Sequence, residues 1–306
     1  EIASCLVGSE MCIRDSYKGE PLCCGTDTFK LYNRYISGEL TWQEMMDRAG
    51  CLYGSVGACP IMGTANTCQT VAEALGMALP GSASSLGVSA EKSRQAELSG
   101  RRIVEMVKEN LTVSKIITPD SVRNAIRVLM ACGGSTNLLI HLKAIMGRAG
   151  FDIDLMEFDA ISNDTPLLVN VKPHGTNPVG AEFHNAGGVP AVMKELEGKL
   201  NLDCMTVTGK TVGENIKDCV NLNPEVIRPI DNPYSQTGGL AVLKGNIAPD
   251  GSVVKRSAVV PEMLVHEGPA RVFECEDDAI KAIKGGDIHP GDVVVIRYVG
   301  PKGGPG

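Results

Sequence analysis

A single cysteine stands in the glycine-flanked loop Gly57-Ala58-Cys59-Pro60-Ile61-Met62-Gly63, and Thr64-Ala65-Asn66 follow where the pattern predicts a helix start. Unpaired backbone N–H groups and the helix dipole favour negative charge at such a place, which lowers a thiol pKa and makes Cys59 a thiolate able to ligate iron. The other reading is a thiol that packs under the loop as a small apolar group. No CxxC pair accompanies it, so spacing alone does not specify a metal site. A second feature, Gly133-Gly134-Ser135-Thr136-Asn137, places a glycine pair directly before a helix. It could cradle a carboxylate or phosphate at the positive helix end, with Ser135 or Asn137 donating as well. A Gly-Gly helix stop followed by a Ser N-cap gives the same pattern without any ligand. His184, before Asn185-Ala186-Gly187-Gly188, could act as a general acid or substrate donor, and His141 lies inside a helical stretch. Each also reads as a satisfied structural histidine. Gly303, Gly304 and Gly306 lack a following Lys-Ser or Lys-Thr, which excludes a Walker-type nucleotide loop.

The elements that must position these residues follow from periodicity and caps. Thr41 with Glu44 fits a capping box for a helix ending near Gly50. Thr64 to Met77 is predicted helical, with Val71, Ala72, Leu75 and Ala78 on one stripe, and Ser89 to Asn110 is a longer helix. Thr118-Pro119-Asp120 supplies an N-cap with proline at the first helical position, and this helix runs to Cys132 and stops at Gly133-Gly134. Ser135 is expected to cap the next helix, as far as Arg148. Pro166 to Val171 reads as a buried strand and Gly188 to Leu200 as a helix. After about residue 200 the texture changes to β-branched runs at Val226–Ile230, Gly239–Leu243, Ser252–Val254, Ala270–Glu274 and Val293–Tyr298, with one helix from Asp277 to Lys284.

Three segments are therefore expected: residues 1–16 as a non-native or disordered tail, residues 17–200 as part of an α/β domain, and residues 201–306 as a β-rich domain. Hydrophobic residues make up 43% and charged residues 21%, ordinary for a soluble globular protein. With 29 basic against 36 acidic residues the net charge is −7, which repels phosphate backbones and argues against a nucleic-acid partner. No stretch of about 18 apolar residues exists to span a bilayer. Eleven cysteines, an odd number without a secretory leader, point to a reducing, cytoplasmic setting rather than to a full set of disulfides.

Read together, several blocks resemble the family of dihydroxy-acid, phosphogluconate and sugar-acid dehydratases. They are Cys59 to Asn66 with Glu73-Ala74-Leu75-Gly76, Gly133 to Asn137 with His141-Leu142, Gly245 to Pro249, His266 to Ala270, and Arg297 to Gly306. The resemblance runs from about Tyr17 to the last residue. It implies an N-terminal α/β domain followed by a barrel-like swivelling C-terminal domain, both incomplete here, and removal of water from a 2,3-dihydroxy carboxylate to give a 2-keto-3-deoxy acid. It also implies a [2Fe-2S] cluster and Mg2+, with Cys59 matching the last of three cluster cysteines. Thr64, Asn66, Ser135, Thr136 and Asn137 are the expected substrate contacts, by position. The other two cysteines and the magnesium-binding acids are expected upstream of this stretch. A further metal-binding glutamate and the base serine are expected beyond Gly306, so this stretch alone is expected to be inactive. Gly25-Thr26-Asp27 and the lone cysteine of the Cys59 motif look closer to the sugar-acid, arabinonate-like branch. The branched-chain biosynthetic dihydroxy-acid branch is the alternative, and a catalytically dead scaffold is the rival from another class. A small hydroxy acid and further copies of the chain, in a homo-oligomer, are the expected partners.

Overall fold

The computed structural model describes residues 15–22, 24–52, 54–58, 60–176 and 180–300. They form two compact units, Glu1–Ala258 and Val259–Gly306. In the first, a hairpin of β1 (Asp15–Tyr17) and β2 (Glu20–Leu22) precedes α1 (Cys24–Ile36) and α2 (Trp42–Ala49). These elements close a small core of Leu22, Leu31, Leu40, Met45 and Leu52. The hairpin includes Asp15 and Ser16, which pair with Leu22 and Pro21, so the tail expected over residues 1–16 reaches into paired structure; residues 1–14 lie outside the described ones.

The main core is helical. It is built from α3 (Thr64–Ala74), α4 (Ala90–Lys108), the short turn α5 (Val113–Ile116), α6 (Pro119–Cys132), α7 (Asn137–Ala149), α8 (Leu155–Asp164), α9 (Gly180–Asn185), α10 (Gly188–Glu195) and α11 (Val212–Ile216). At its centre α6 packs against α3, α8 and α10. Val122, Ala125, Ile126, Val128, Leu129 and Met130 are buried at 1% exposure or less, so apolar side chains surround this helix on nearly every face. Thr118 starts it with both halves of a capping box and Pro119 in the first turn. Gly133, left-handed at φ 58°, ends it. The core helix therefore delivers the Gly133-Gly134 turn to a fixed point.

The strand expected over Pro166 to Val171 does not form. Its backbone is buried, but the N–H groups of Leu167 and Asn170 reach Ser235 and Val226, while those of Leu168 and Val169 both reach Ala131. With its bonds spread over three segments it makes only isolated bridges. The run Val226–Ile230 likewise contributes a bridge at Ile227 rather than a strand. Strand β3 (Ala241–Leu243) pairs antiparallel with β4 (Ser252–Val254), which leads into the tight turn Arg256–Ala258.

In the second unit β5 (Ala270–Phe273) pairs in parallel with β6 (Val293–Ile296), and α12 (Glu276–Gly285) connects them as the crossover. The protein is thus mixed α/β, as expected, but the described strands form three two-stranded sheets and no closed sheet. None of the described helices is long and apolar enough to cross a membrane.

Candidate functional site

The polar residues expected to touch substrate meet where α3 and α7 begin. Thr64 opens α3, and its Oγ1 lies 3.2 Å from Ser135 Oγ and accepts a 2.8 Å hydrogen bond from Asn137 Nδ2. Thr67, one turn into α3, accepts from the Ser135 N–H at 3.1 Å and donates to Gly63 O at 2.7 Å. Neither helix carries an acidic side chain in its first turn. Two positive helix ends and a set of hydroxyl and amide groups therefore face one spot, an arrangement that favours an oxygen-rich anion.

Close packing at the glycine pair makes this possible. A Cβ on Gly134 would lie 2.4 Å from Thr67 Cγ2 and 2.6 Å from Leu129 Cδ1, and one on Gly133 would lie 2.6 Å from His174 Cε1. Only glycine lets the chain pass between these neighbours. Ser135 caps the start of α7 as expected, accepting from the N–H two residues on. The helix starts at Asn137, whose N–H reaches Ser135 Oγ at 3.3 Å, and Thr136 already has helical backbone angles. The Ser135 hydroxyl and N–H also reach Thr64 and Thr67 on α3, so the cap ties the two helix starts together.

The remaining expected residues divide. Asn66 is fully buried and donates from Nδ2 to Ile61 O at 2.6 Å, so it braces the loop ahead of α3. Thr136 is half-buried beside Ser135, Asn137 is exposed, and His141 is exposed one turn further along α7. His184 sits elsewhere, its Nδ1 3.1 Å from Ser84 Oγ and its Nε2 2.9 Å from Glu91 Oε2, so both ring nitrogens are engaged. Cys59 lies outside the described residues.

Among the described cysteines, burial pushes the Cys132 thiol up to about 12 and the Cys204 thiol up to about 11, and raises Cys68 as well. These stay protonated, in keeping with Cys68 and Cys132 as packing residues rather than ligands. No group of three or more His, Cys, Asp or Glu that could hold a metal ion occurs among the described residues.

Sequence reasoning missed three groups around the glycine pair. His174 Nε2 lies 3.2 Å from Val169 O, and a carbonyl partner means that Nε2 carries the proton. Its pKa is pushed down to about 4, by burial first and then by the charge of Lys255, which keeps the ring neutral. Lys255 Nζ donates to Gly133 O at 2.6 Å and to Gly134 O at 3.1 Å. Ser257 donates its N–H to Gly239 O, and Gly239 approaches so closely that a Cβ there would lie 2.4 Å from Gly133 Cα. Lys255 and Ser257 follow a β-branched run, where a lone lysine reads as a solvated strand end; nothing local marks them.

Family models match most of this chain in two parts: the dihydroxy-acid/6-phosphogluconate dehydratase N-terminal domain over residues 8–215 and the C-terminal domain of the same name over residues 225–306. The chain belongs to this family. Within it, the chain is 54% identical over 280 residues to a dihydroxy-acid dehydratase of Agathobacter rectalis, covering 91% of this chain and 50% of that protein. Similar proteins of the same name come from Methanosarcina barkeri, 50% identical over 282 residues (91% of this chain, 51% of that one), and from Methanococcoides burtonii, 55% identical over 274 residues (88% and 49%). The chain spans about half the length of these curated relatives. Each of them bears the dihydroxy-acid name, so the leaning to the sugar-acid branch finds no support among them.

Proposed function

We propose that this chain is part of a hydro-lyase that dehydrates a 2,3-dihydroxy acid. The substrate loses its C3 hydroxyl as water and its C2 hydrogen as a proton, and the resulting enol tautomerises to the 2-keto acid. The identity of about half of all positions to proteins named dihydroxy-acid dehydratase carries this reading and favours it over the sugar-acid branch. The site geometry is compatible with it. Thr64, Ser135 and Asn137 offer hydroxyl and amide groups at two helix N-termini, suited to bind and orient a carboxylate with neighbouring hydroxyls.

The family reading brings with it a [2Fe-2S] cluster and Mg2+, a barrel-like C-terminal domain and a homo-oligomeric, cytoplasmic enzyme. Among the described residues no cluster of three or more His, Cys, Asp or Glu stands ready for a metal ion, and the part proposed for Thr64, Ser135 and Asn137 is to bind and orient the acid. Cys59 is the ligand that the family motif assigns, as a thiolate to iron.

Two measurements on the full-length protein test the reading. Release of 2-keto acid should be faster from a branched 2,3-dihydroxy acid than from a panel of aldonates, and the reverse order would restore the sugar-acid branch. After reconstitution with iron and sulfide, Cys59→Ser should lose bound iron and the visible cluster absorbance, whereas Cys68→Ser keeps both. Normal iron content in Cys59→Ser would remove that residue from the ligand set.

A further inference from the structure

Lys255 is a partly buried ammonium without a carboxylate partner among the described residues. Burial alone lowers its pKa, to about 8. Two carbonyl oxygens, Gly133 O and Gly134 O, take its hydrogen bonds across more than a hundred residues of sequence. Next to it Arg256 grips the neighbouring glycine turn, donating to Gly238 O at 2.9 Å and 3.2 Å, while the Ser257 N–H holds Gly239 O. The short segment after β4 thus fastens two glycine turns that touch each other at Gly133 and Gly239.

An ammonium in this position is a poor investment in stability. Desolvating a charge costs more than two neutral carbonyls return, and an apolar side chain of similar length commonly does as well or better. What the charge does supply is direction. A short charge-assisted bond to Gly133 O and a longer one to Gly134 O restrain both peptide planes of the turn. Those planes set the path by which the chain leaves Gly134 and presents Ser135 and Asn137 to Thr64.

We propose that Lys255 is a positioning residue: by holding the carbonyls of Gly133 and Gly134 it fixes the Ser135–Asn137 segment against Thr64. For its effect on turnover the inference rests on the dihydroxy-acid reading of that segment; the clamp itself does not. The role differs from plain structural support in what its loss should do. In Lys255→Met, amide hydrogen exchange over residues 135–139 should quicken about tenfold, the loss expected for charge-assisted bonds. Exchange in α4 and α8 and the melting temperature should stay at their wild-type values. In the full-length protein KM for the 2,3-dihydroxy acid should rise about tenfold with kcat changed less than about threefold, the pattern of lost binding rather than lost chemistry. Propylammonium added to Lys255→Ala should restore slow exchange at residues 135–139, and tetramethylammonium, which has no N–H, should not.

Unchanged exchange at residues 135–139 in Lys255→Met would overturn the proposal. So would a general rise in exchange with a fall in melting temperature, which is the mark of simple structural support. Should Lys255→Met fail to fold, the amine rescue of Lys255→Ala decides by the same criterion. Faster local exchange with unaltered KM would support the clamp and count instead against the dihydroxy-acid reading of this face.

Discussion

Gly133 is the residue under the tightest constraint in the site. Its φ of 58° is left-handed, and a Cβ there would strike the His174 ring at 2.6 Å and come within 3.1 Å of Leu167 Cδ1. The ring cannot swing freely, because its Nε2 is held at Val169 O. Gly133→Ala should therefore cost about 1–3 kcal/mol through backbone strain and displacement of His174. A lower urea midpoint with unchanged slope is the expected reading; an unchanged midpoint would show that the turn relaxes at no cost. Gly134 is glycine for a different reason, since only its side-chain space is taken, by Thr67 and Leu129. The two glycines share a motif but answer to separate constraints.

At the scale of elements, α3 carries the site at its start and a buried carboxylate at its end. Glu73 accepts from the N–H groups of Gly81 at 2.7 Å and Ala83 at 2.8 Å, and so closes the turn that follows the helix. Burial pushes its pKa up to about 7 in spite of those two bonds, which act to lower it. An unfolded carboxyl keeps its ordinary, lower value, so the folded state binds the proton more tightly. Its contribution to stability is full below the unfolded pKa and is lost as pH rises through about 7. His174 acts in the opposite sense: its pKa is depressed in the fold, and its contribution is lost as pH falls through about 4. Comparing wild type with Glu73→Gln cancels that background. Wild type should lose melting temperature relative to Glu73→Gln between about pH 5 and about pH 8. A difference that stays constant over this range would mean that Glu73 is ionised throughout.

For the whole molecule, the two compact units are cored very differently. The first buries a continuous cluster from Met62 to Val242, with Ile126 and Leu129 fully inaccessible. Among the described residues of the second, Ala279 is the one buried apolar side chain, while Val272, Ile283 and Val294 are exposed. So small a core stabilises a unit of this size only marginally. Amides of β5 and β6 should therefore exchange well before those of α6. Ile126→Ala should cost about 2–5 kcal/mol, which lowers the main melting transition and leaves exchange in β5 and β6 as it was. A single transition in which all amides exchange together would show that the units unfold as one.

Local signals were enough for the helix starts. The box at Thr41 and Glu44 and the Thr118-Pro119 start appear as read, because a cap is a bond between residues two or three apart in sequence. Helix α1 escaped notice because Phe29, Tyr32 and Ile36 point to solvent, so its apolar residues do not mark an inner face. The glycine pair with Ser135 and Asn137 could be named as candidates from type and spacing; Thr64 entered through the family resemblance, which rests on several blocks in order along the chain. That His184 is bound to Ser84 and Glu91, and that Ser135 reaches α3 as well as capping α7, were decided by contacts tens of residues apart. The same holds for Pro166 to Val171, whose apolar run suits a buried strand but whose backbone finds its partners in three separate segments. Lys255 is the extreme case, since its role depends on two carbonyls more than a hundred residues away. Sequence determines which groups are available and which short-range bonds they make; tertiary packing decides which of them are desolvated together, and desolvation is what gives a hydroxyl, a carboxyl or an ammonium its function.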